Sequence, residues 1–400
     1  MTEQNKLQTV RFPLPDSIIA LIKRIEQSGE EAYLVGGSLR DLMLGIEPHD
    51  FDLATSALPE KTHSLFADFR VIDTGLQHGT VTVLVDGEPV EITTFRIDGA
   101  YSDSRHPDQV VFTNRIVEDL ARRDFTVNAM AYHPERGLVD PFGGREDLKK
   151  KCLRAVGNAE LRFGEDALRI MRAFRFCAQL GFSIEQDTLL GAKRGKFGLT
   201  SIARERIASE FLRLLTSNFA ERAVREMIAC EVLSYVVGDY RPSDRLLSRL
   251  HEMPRDEVAR LGCFFAESDR ETTKKILRSL KLSNKHITGA CSIVSGSHTP
   301  IQTPADARRL IASCGVYAPL AVRVSVLLSI NDAQAIEWSE QKDVPCTVSD
   351  LNIGGRDLLT LGVEPKNIGK ILEFLLACVL EEPSLNQKET LLAMAAERKK

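Results

Sequence analysis

The 400-residue chain has little of what marks a membrane-spanning, secreted or metal-stapled protein. No apolar run approaches the ~20 residues that cross a bilayer. The opening residues, MTEQNKLQTVRF, hold no apolar signal core; export is not expected, and a cytoplasmic location is. Eight cysteines are scattered without a C-x-x-C pair. They predict neither a zinc site nor a disulfide framework, but free thiols in a reducing compartment. Aromatic residues make up 6% of the chain, too few for extensive stacking on bases. The formal net charge is −4, so no overall basic character advertises a nucleic-acid partner. No clean internal repeat stands out.

What is present is ordinary in amount and uneven in distribution. Hydrophobic residues at 43% and charged residues at 27% describe a globular chain. At this length one core is not enough, and roughly two to four domains are expected. Between Arg145 and Arg206 there are 14 Lys/Arg and 8 Asp/Glu, a local excess of 6 positive charges. Such a stretch suits a polyphosphate backbone or a set of solvated helix faces, and charge alone leaves both open.

The most informative stretch runs from Ala32 to Thr55. Ala32 to Val35 reads as a short buried strand. Gly36 and Gly37 follow, then Ser38 as the expected helix N-cap, then Leu39 to Leu44 with helical character, closed by Gly45. Strand, Gly-Gly turn and helix start make a phosphate-binding arrangement: the glycines let a ligand approach the backbone, and the free N–H groups of the first turn point at the anion. Arg40 in that turn opposes the helix dipole, which suggests an anionic partner. His49-Asp50-Phe51-Asp52-Leu53 reads as extended. Side chains two apart share a face, so Asp50 and Asp52 point one way and Phe51 and Leu53 point into the core. Two neighbouring carboxylates repel unless a cation joins them, and Mg²⁺ favours carboxylates combined with substrate phosphates. A lone Asp-x-Asp is more often a polar strand edge; the phosphate cradle just upstream tips the reading to a metal site. His49-Asp50 also spells the pair used by metal phosphohydrolases, but the further ligands that chemistry needs are not in matching contexts.

Residues 14–28 read as an amphipathic helix, and Leu58-Pro59-Glu60 starts a short one ending near Phe66. Val71–Gly75, His78–Val85 and Pro89–Phe95 read as strands, with Asp86-Gly87 as a hairpin turn. Glu91 is either a third carboxylate facing the Asp pair or a solvent-facing strand residue. Residues 98–110 read as a long polar loop. From about 151 helical patterns dominate, at 161–180, 201–217, 219–236, 242–252, 255–267, 270–281, 304–314, 317–330 and beyond Pro365. The expected fold class is α+β, a small mixed-sheet head followed by an all-α remainder.

Two later clusters carry chemistry. Arg122-Arg123-Asp124 with Asn128 combines guanidinium forks suited to phosphate with Asp and Asn suited to ribose hydroxyls. The plain alternative is a surface Arg pair beside a structural Asn. In a helix through Glu165–Arg175, Ala167, Ile170, Met171 and Phe174 share an apolar face. Asp166 and Arg169, three apart, are neighbours on another face, and Arg172 and Arg175 extend the positive side. An exposed salt-bridged face is the plain reading. The other follows from hydrogen-bonding groups: cytosine and adenine both pair an amino donor with a ring-nitrogen acceptor, which Asp166 and Arg169 match. Uracil and guanine present a carbonyl to the carboxylate instead.

In order, GGSxRD, a spacer and DxD, then RRDFTVNAM at 122–130 and EDALR at 165–169, resemble the signature of the DNA-polymerase-β-like nucleotidyltransferases. More narrowly they resemble the class II tRNA nucleotidyltransferases, the family of CCA-adding enzymes and bacterial poly(A) polymerases. The resemblance spans the chain and is strongest from 32 to about 180. It implies a catalytic head at 1–150, a base-reading neck at 151–220, a body at 221–310 and a tRNA-binding tail at 311–400. It implies template-independent addition of CCA to the 3′ end of tRNA from CTP and ATP, with Asp50 and Asp52 as catalytic Mg²⁺ ligands. Gly36, Gly37, Ser38 and Arg40 then surround the triphosphate, and Arg123, Asp124 and Asn128 meet the nucleotide. Asp166 and Arg169 select C and A, and Arg172 and Arg175 contact the nucleotide. In the family a flexible loop corresponding to 98–110 helps switch from C to A, and its full length here speaks against a CC-only enzyme. The segments 352–359 and 362–369 resemble the family's tail, with Pro365-Lys366-Asn367 where many relatives have Pro-Gly-Pro. An A-adding enzyme or a poly(A) polymerase is the nearest alternative; outside the enzymes it is a non-catalytic RNA-binding scaffold.

Overall fold

The computed structural model describes residues 11–75, 79–98, 110–341 and 344–398. The chain divides into two compact units, Met1–Leu214 with Arg222–Val236, and Leu215–Glu221 with Val237–Lys400. The strands of the first unit are β1 (Ala32–Val35), β2 (Phe51–Thr55), β3 (Arg70–Gly75), β4 (Thr80–Val85), β5 (Glu88–Thr94), β6 (Arg96–Asp98), β7 (Val110–Phe112), β8 (Ala131–His133), β9 (Gly137–Val139), β10 (Cys152–Leu153) and β11 (Ser183–Ile184). Its helices are α1 (Asp16–Gln27), α2 (Gly36–Met43), α3 (Pro59–Leu65), α4 (Ile116–Ala121), α5 (Gly144–Lys150), α6 (Ala159–Glu165), α7 (Leu168–Leu180) and α8 (Gln186–Gly195), followed by α9 (Arg204–Leu215), α10 (Ala220–Ala229) and α11 (Leu233–Val237) at the junction of the units.

Among the described residues the main sheet has seven strands in the order β3-β4-β5-β2-β1-β8-β9, with β2 and β5 parallel and the other neighbours antiparallel. This is the mixed sheet expected from the sequence. Alternation along β1 sends Tyr33 and Val35 into a core with Ala54, Phe95, Ile116 and Leu120. Helix α1 packs on β1 and buries Ile18, Leu21, Ile22 and Ile25, the three-and-four spacing of its apolar face. The β4–β5 turn uses Asp86 and Gly87, both at positive φ, as an Asp-Gly hairpin requires. Register sets the functional edge: Val35, Asp52 and Glu91 lie side by side on β1, β2 and β5. Residues paired across neighbouring strands share a face, so the sheet itself brings Glu91 beside Asp52.

Several local expectations change. Ser38 is not an N-cap. The helix begins at Gly36, with Val35 before it, and Ser38 is buried in the first turn with its Oγ donating to the Val35 carbonyl at 2.9 Å. The predicted helix through 161–180 is two, because Asp166 adopts an extended backbone (φ −142°, ψ 104°) and separates α6 from α7. The predicted helix at 219–236 is also two, α10 and α11, with Glu231 at φ 59° between them. The expected loop at 98–110 lies almost wholly outside the described residues.

The second unit is helical, with α12 (Asp244–Arg249), α13 (Glu257–Phe264), α14 (Arg270–Ser279), α15 (Asn284–Ser297), α16 (Pro304–Cys314), α17 (Ala318–Leu327), α18 (Ala333–Ser339), α19 (Gly355–Thr360), α20 (Ile368–Glu381) and α21 (Lys388–Glu397). Residues 304–327 correct the expectation that no apolar run nears a membrane span. By length, and with a mean hydropathy of 1.7 over its most apolar 18 residues, the stretch is apolar enough. It is broken by a 3₁₀ turn at Gly315–Tyr317, and Ala307, Leu310, Ala318 and Val322 pack in a core cluster of this unit. Helix α15 was not expected, since glycine and small polar residues mask its apolar face. The glycines have a packing reason. A Cβ on Gly289 would lie 2.4 Å from Val258 of α13 and 2.8 Å from Tyr317, and one on Gly296 would lie 2.9 Å from Ala321 of α17. Facing them, Gly262 of α13 leaves room for Ile293, which a Cβ would meet at 2.6 Å.

Gly289→Ala therefore lowers unfolding free energy by about 1–3 kcal/mol, the usual range for overpacking. Gly369→Ala on α20, where nothing lies within 4 Å of the added carbon, is neutral or stabilising by up to ~1 kcal/mol. Urea titrations of the two variants check the difference.

Candidate active site

A cleft of about 550 Å³ opens in the first unit where β1, β2 and β5 meet α2 and α7. It gathers most of the residues singled out from the sequence. Gly36, Gly37, Arg40, Asp50, Asp52, Glu91, Arg123, Asp124, Asn128, Asp166, Arg169 and Arg172 all line it. Ser38 and Arg175 do not. Ser38 lies beneath the first turn of α2. Arg175 is 7% exposed, donates to Glu210 Oε2 at 2.5 Å and Gln179 Oε1 at 2.7 Å, and lies over the Phe176 ring. The nucleotide contact expected of Arg175 is corrected accordingly: its fork is already spent on a buried ion pair.

The two glycines differ in what they do. Gly36 has φ +72°, and a Cβ there would sit 3.2 Å from Arg123 Nη1 and 3.4 Å from Asp52 Oδ2. Gly37 has an ordinary helical backbone and room for a methyl group, with Arg40 at 3.6 Å. Only Gly36 is needed for the close approach of a guanidinium and a carboxylate to the start of α2. Gly45, at φ 73°, closes that helix, and Ile46 N–H reaches the Asp41 carbonyl.

Asp52 is the strained member of the carboxylate group. Burial, then the charges of Asp50 and Glu91, push it up to about 6 against the opposing pull of Arg123. Asp124 shows the reverse balance. Burial raises it, but the charge and hydrogen bond of Arg172 and a hydrogen bond from Asn128 hold it down to about 2. Its carboxylate accepts from Arg172 Nε at 2.7 Å and from Asn128 Nδ2 at 3.2 Å. Asn128 Oδ1 in turn accepts from Arg40 Nη1 at 2.8 Å. A continuous polar chain thus runs Arg40–Asn128–Asp124–Arg172, from α2 to α7. Asp124 and Asn128 are both under 9% exposed, so their polar atoms serve this chain before any ligand.

Asp166 and Arg169 line the cleft but are not the helix-face ion pair expected. Asp166 receives the Leu168 N–H on Oδ1 at 2.9 Å, and its Oδ2 faces Arg206 at 3.4 Å. Arg169 donates to Glu165 Oε2 at 2.6 Å and to the Arg162 and Arg122 carbonyls. At 9% exposure it is no solvated surface group, which removes the plain reading of that helix face. Arg122, of the arginine pair read from the sequence, lines the cleft too, and so do Arg96, Phe176 and Arg206, which were not singled out. Arg206 sits forty residues beyond Asp166, on another helix, so no local pattern announces it. Nor was Asp119 singled out, although it precedes Arg122 and Arg123 by three and four residues, a spacing at which side chains meet on a helix.

Gly36→Ala costs about 1–2 kcal/mol of stability through its positive φ and displaces Arg123, whereas Gly37→Ala leaves stability unchanged or slightly raised. Thermal unfolding separates them. Asp124 contributes stability that is present above about pH 4, its unfolded range, and lost as pH falls through about 2. Between those limits the native protein loses about 2 kcal/mol more unfolding free energy than Asp124→Asn, measured by denaturant titration at each pH.

Comparison with known proteins identifies the family. A family profile described as the poly(A) polymerase head domain matches residues 32–154. One described as the probable RNA and SrmB-binding site of polymerase A matches 181–240, and one described as a putative tRNA nucleotidyltransferase domain 2 matches 259–395. The CCA-adding enzyme of Leuconostoc mesenteroides is 36% identical over 392 residues, 94% of this chain and 95% of that protein. The Geobacillus stearothermophilus CCA-adding enzyme is 34% identical over 393 residues, 95% and 96% of the two chains. The crystal structure of the Bacillus stearothermophilus CCA-adding enzyme in complex with CTP superposes with a TM-score of 0.80 at 31% identity, covering 96% of this chain and 97% of that one. The Thermotoga maritima CCA-adding enzyme complexed with tRNA shares the fold, with a TM-score of 0.69 at 21% identity and coverage of 98% and 97%. With identity above a third sustained from end to end, the chain belongs to the family of CCA-adding enzymes, the tRNA nucleotidyltransferases.

Proposed function

We propose that the chain extends the 3′ end of tRNA with CCA, drawing on CTP and ATP and using no nucleic-acid template. The observation that carries this reading is one cleft that gathers the carboxylates Asp50, Asp52 and Glu91 with the guanidinium groups of Arg40, Arg123, Arg169 and Arg172. Burial and the charges of Asp50 and Glu91 drive Asp52 toward protonation; a cation among the three carboxylates keeps it ionised, so the donor set fits a hard divalent ion. Asp50 and Asp52 would hold Mg²⁺, with Glu91 beside them. Among the described residues no group of three or more His, Cys, Asp or Glu side chains is placed to hold a metal ion by itself; Mg²⁺ takes water and substrate phosphates as ligands besides carboxylates. Bound there, the ion supplies the positive charge that favours in-line attack at phosphorus and departure of pyrophosphate.

The chain's own groups do the rest. The open backbone at Gly36 and the guanidinium of Arg123 bind the triphosphate, with Arg40 close by on α2. They fix the α-phosphate so that a bond from the RNA 3′-oxygen forms as the bond to pyrophosphate breaks. Asp166 and Arg169 read the base: the carboxylate accepts the amino hydrogen shared by cytosine and adenine, and the guanidinium donates to the ring nitrogen. Within this reading the head is 1–150, the neck 151–220, the body 221–310 and the tRNA-binding tail 311–400. The setting is the cytoplasm, where tRNA and nucleotides meet.

Offered tRNAs that end before CCA, after C and after CC, with each nucleoside triphosphate separately, the protein adds C, C and A in turn. Long A tails or lone A addition would assign it to the poly(A) or A-adding branch instead. Asp50→Ala with Asp52→Ala lowers addition at least ~10³-fold, the scale of several kcal/mol of lost charge stabilisation, and leaves tRNA binding largely intact. Entry of UTP as readily as CTP would end the base-reading role of Asp166 and Arg169.

A further inference from the structure

Asp119 lies on α4, is 1% exposed, and is not part of the cleft wall. It is nevertheless bound to the cleft through its hydrogen bonds. Its Oδ1 accepts from Arg122 Nε at 2.9 Å and Nη2 at 2.8 Å, and from the Arg96 backbone N–H at 3.3 Å. Its Oδ2 accepts from Arg123 Nη2 at 3.1 Å. Burial pushes this carboxyl up, yet the charges of Arg123 and Arg122 outweigh it and hold the group below the usual range. The anion is therefore the resident form.

The consequence lies with the arginines. Arg122 and Arg123 are adjacent cations and repel each other when unpaired. Helix α4 ends at Ala121, and both side chains turn back to the one carboxylate, three and four residues earlier. Arg123 is thereby set against the bare backbone of Gly36, where a Cβ would crowd its Nη1. That is the start of α2, the place the triphosphate occupies in the proposed function. Arg122 and Arg123 are each less than one-fifth exposed, so contacts within the protein, this anchor among them, set where their forks point.

We propose that Asp119 is a positioning residue for the triphosphate. From outside the cleft it locks Arg122 and Arg123 into the orientation in which they meet phosphate. The inference rests on the nucleotidyl-transfer reading of the cleft. An asparagine cannot do the same: its amide nitrogen would turn a donor toward guanidinium donors. A glutamate keeps the charge on a longer stem.

The test is steady-state addition to tRNA with CTP and with ATP, for native protein, Asp119→Asn, Asp119→Glu, Arg123→Ala and the double variant. Asp119→Asn should raise KM for both nucleotides about tenfold or more, with kcat changed less than about threefold; tenfold corresponds to ~1.4 kcal/mol, within the range of a hydrogen bond to a charged group. Asp119→Glu should recover part of that loss. In the Arg123→Ala background, adding Asp119→Asn should cost clearly less than it does alone, because the anchor has lost one of its two cleft arginines. An unchanged KM, or full additivity in the double variant, overturns the proposal. Should Asp119→Asn not fold, Asp119→Glu carries the same comparison with a smaller KM rise expected, and no rise overturns it. Calorimetric titration of CTP is run in parallel. If the native protein adds no nucleotide, the functional reading falls, while weaker CTP binding by Asp119→Asn than by native protein still upholds the anchor and equal binding removes it.

Discussion

Asp52 sits among two other carboxylates, Asp50 and Glu91, and burial together with their charges lifts it to about 6. Nothing in the strand pairing relieves this crowding; the register of β2 against β5 produces it, by setting Asp52 level with Glu91. The rest of the cleft answers to that concentration of negative charge. Arg123 is drawn in over Gly36, and the absence of a side chain at Gly36 is what lets guanidinium and carboxylate approach the same point of backbone. A polar network of this kind is stable only when each buried member is paired, and an incomplete one is worse than none.

The cationic side is built by the same rule. Four of the arginines that line the cleft are each held by an acid: Arg122 and Arg123 by Asp119, Arg169 by Glu165, Arg172 by Asp124. The guanidinium groups of Arg40, Arg172 and Arg175 also gather about the ring of Phe176, at 5.3, 5.5 and 4.0 Å from its centroid. An aromatic face tolerates cations better than aliphatic surface does. Asp124 both lines the cleft and holds an arginine, but Asp119 holds two from outside the cleft lining, and the two kinds of residue differ in how visible they are in a sequence.

The presenting set was legible because its geometry is local. Strand, glycines, helix and the Asp-x-Asp strand follow one another within two dozen residues, and the spacing alone puts Asp50 and Asp52 on one face. The anchoring set depends on distance along the chain. Asp119 had a usable signal, its helical spacing to Arg122 and Arg123; Arg206 had none. Arg175 was misplaced because helical periodicity cannot tell a cleft-facing arginine from one paired inward with Glu210. Asp166 reads as mid-helix in the sequence because nothing in the residue types announces an extended backbone there. In the second unit, α15 escaped notice because its glycines lower helix propensity while serving close packing against α13 and α17. Tertiary contact overrode local preference in that case.

The chain Arg40–Asn128–Asp124–Arg172 alternates cation, amide, anion, cation. An amide offers an acceptor at one end and donors at the other, with no dependence on tautomer. Asn128 therefore works as an adaptor between two groups of opposite need, and its orientation is dictated from both sides. A carboxylate in its place would confront Asp124, and an ammonium would confront Arg40. Glutamine offers the same groups only on a longer stem. The polarity of that single amide ties α2 to α7, so one unbroken line of hydrogen bonds joins the end of the cleft beside Gly36 to the helix that carries Arg169.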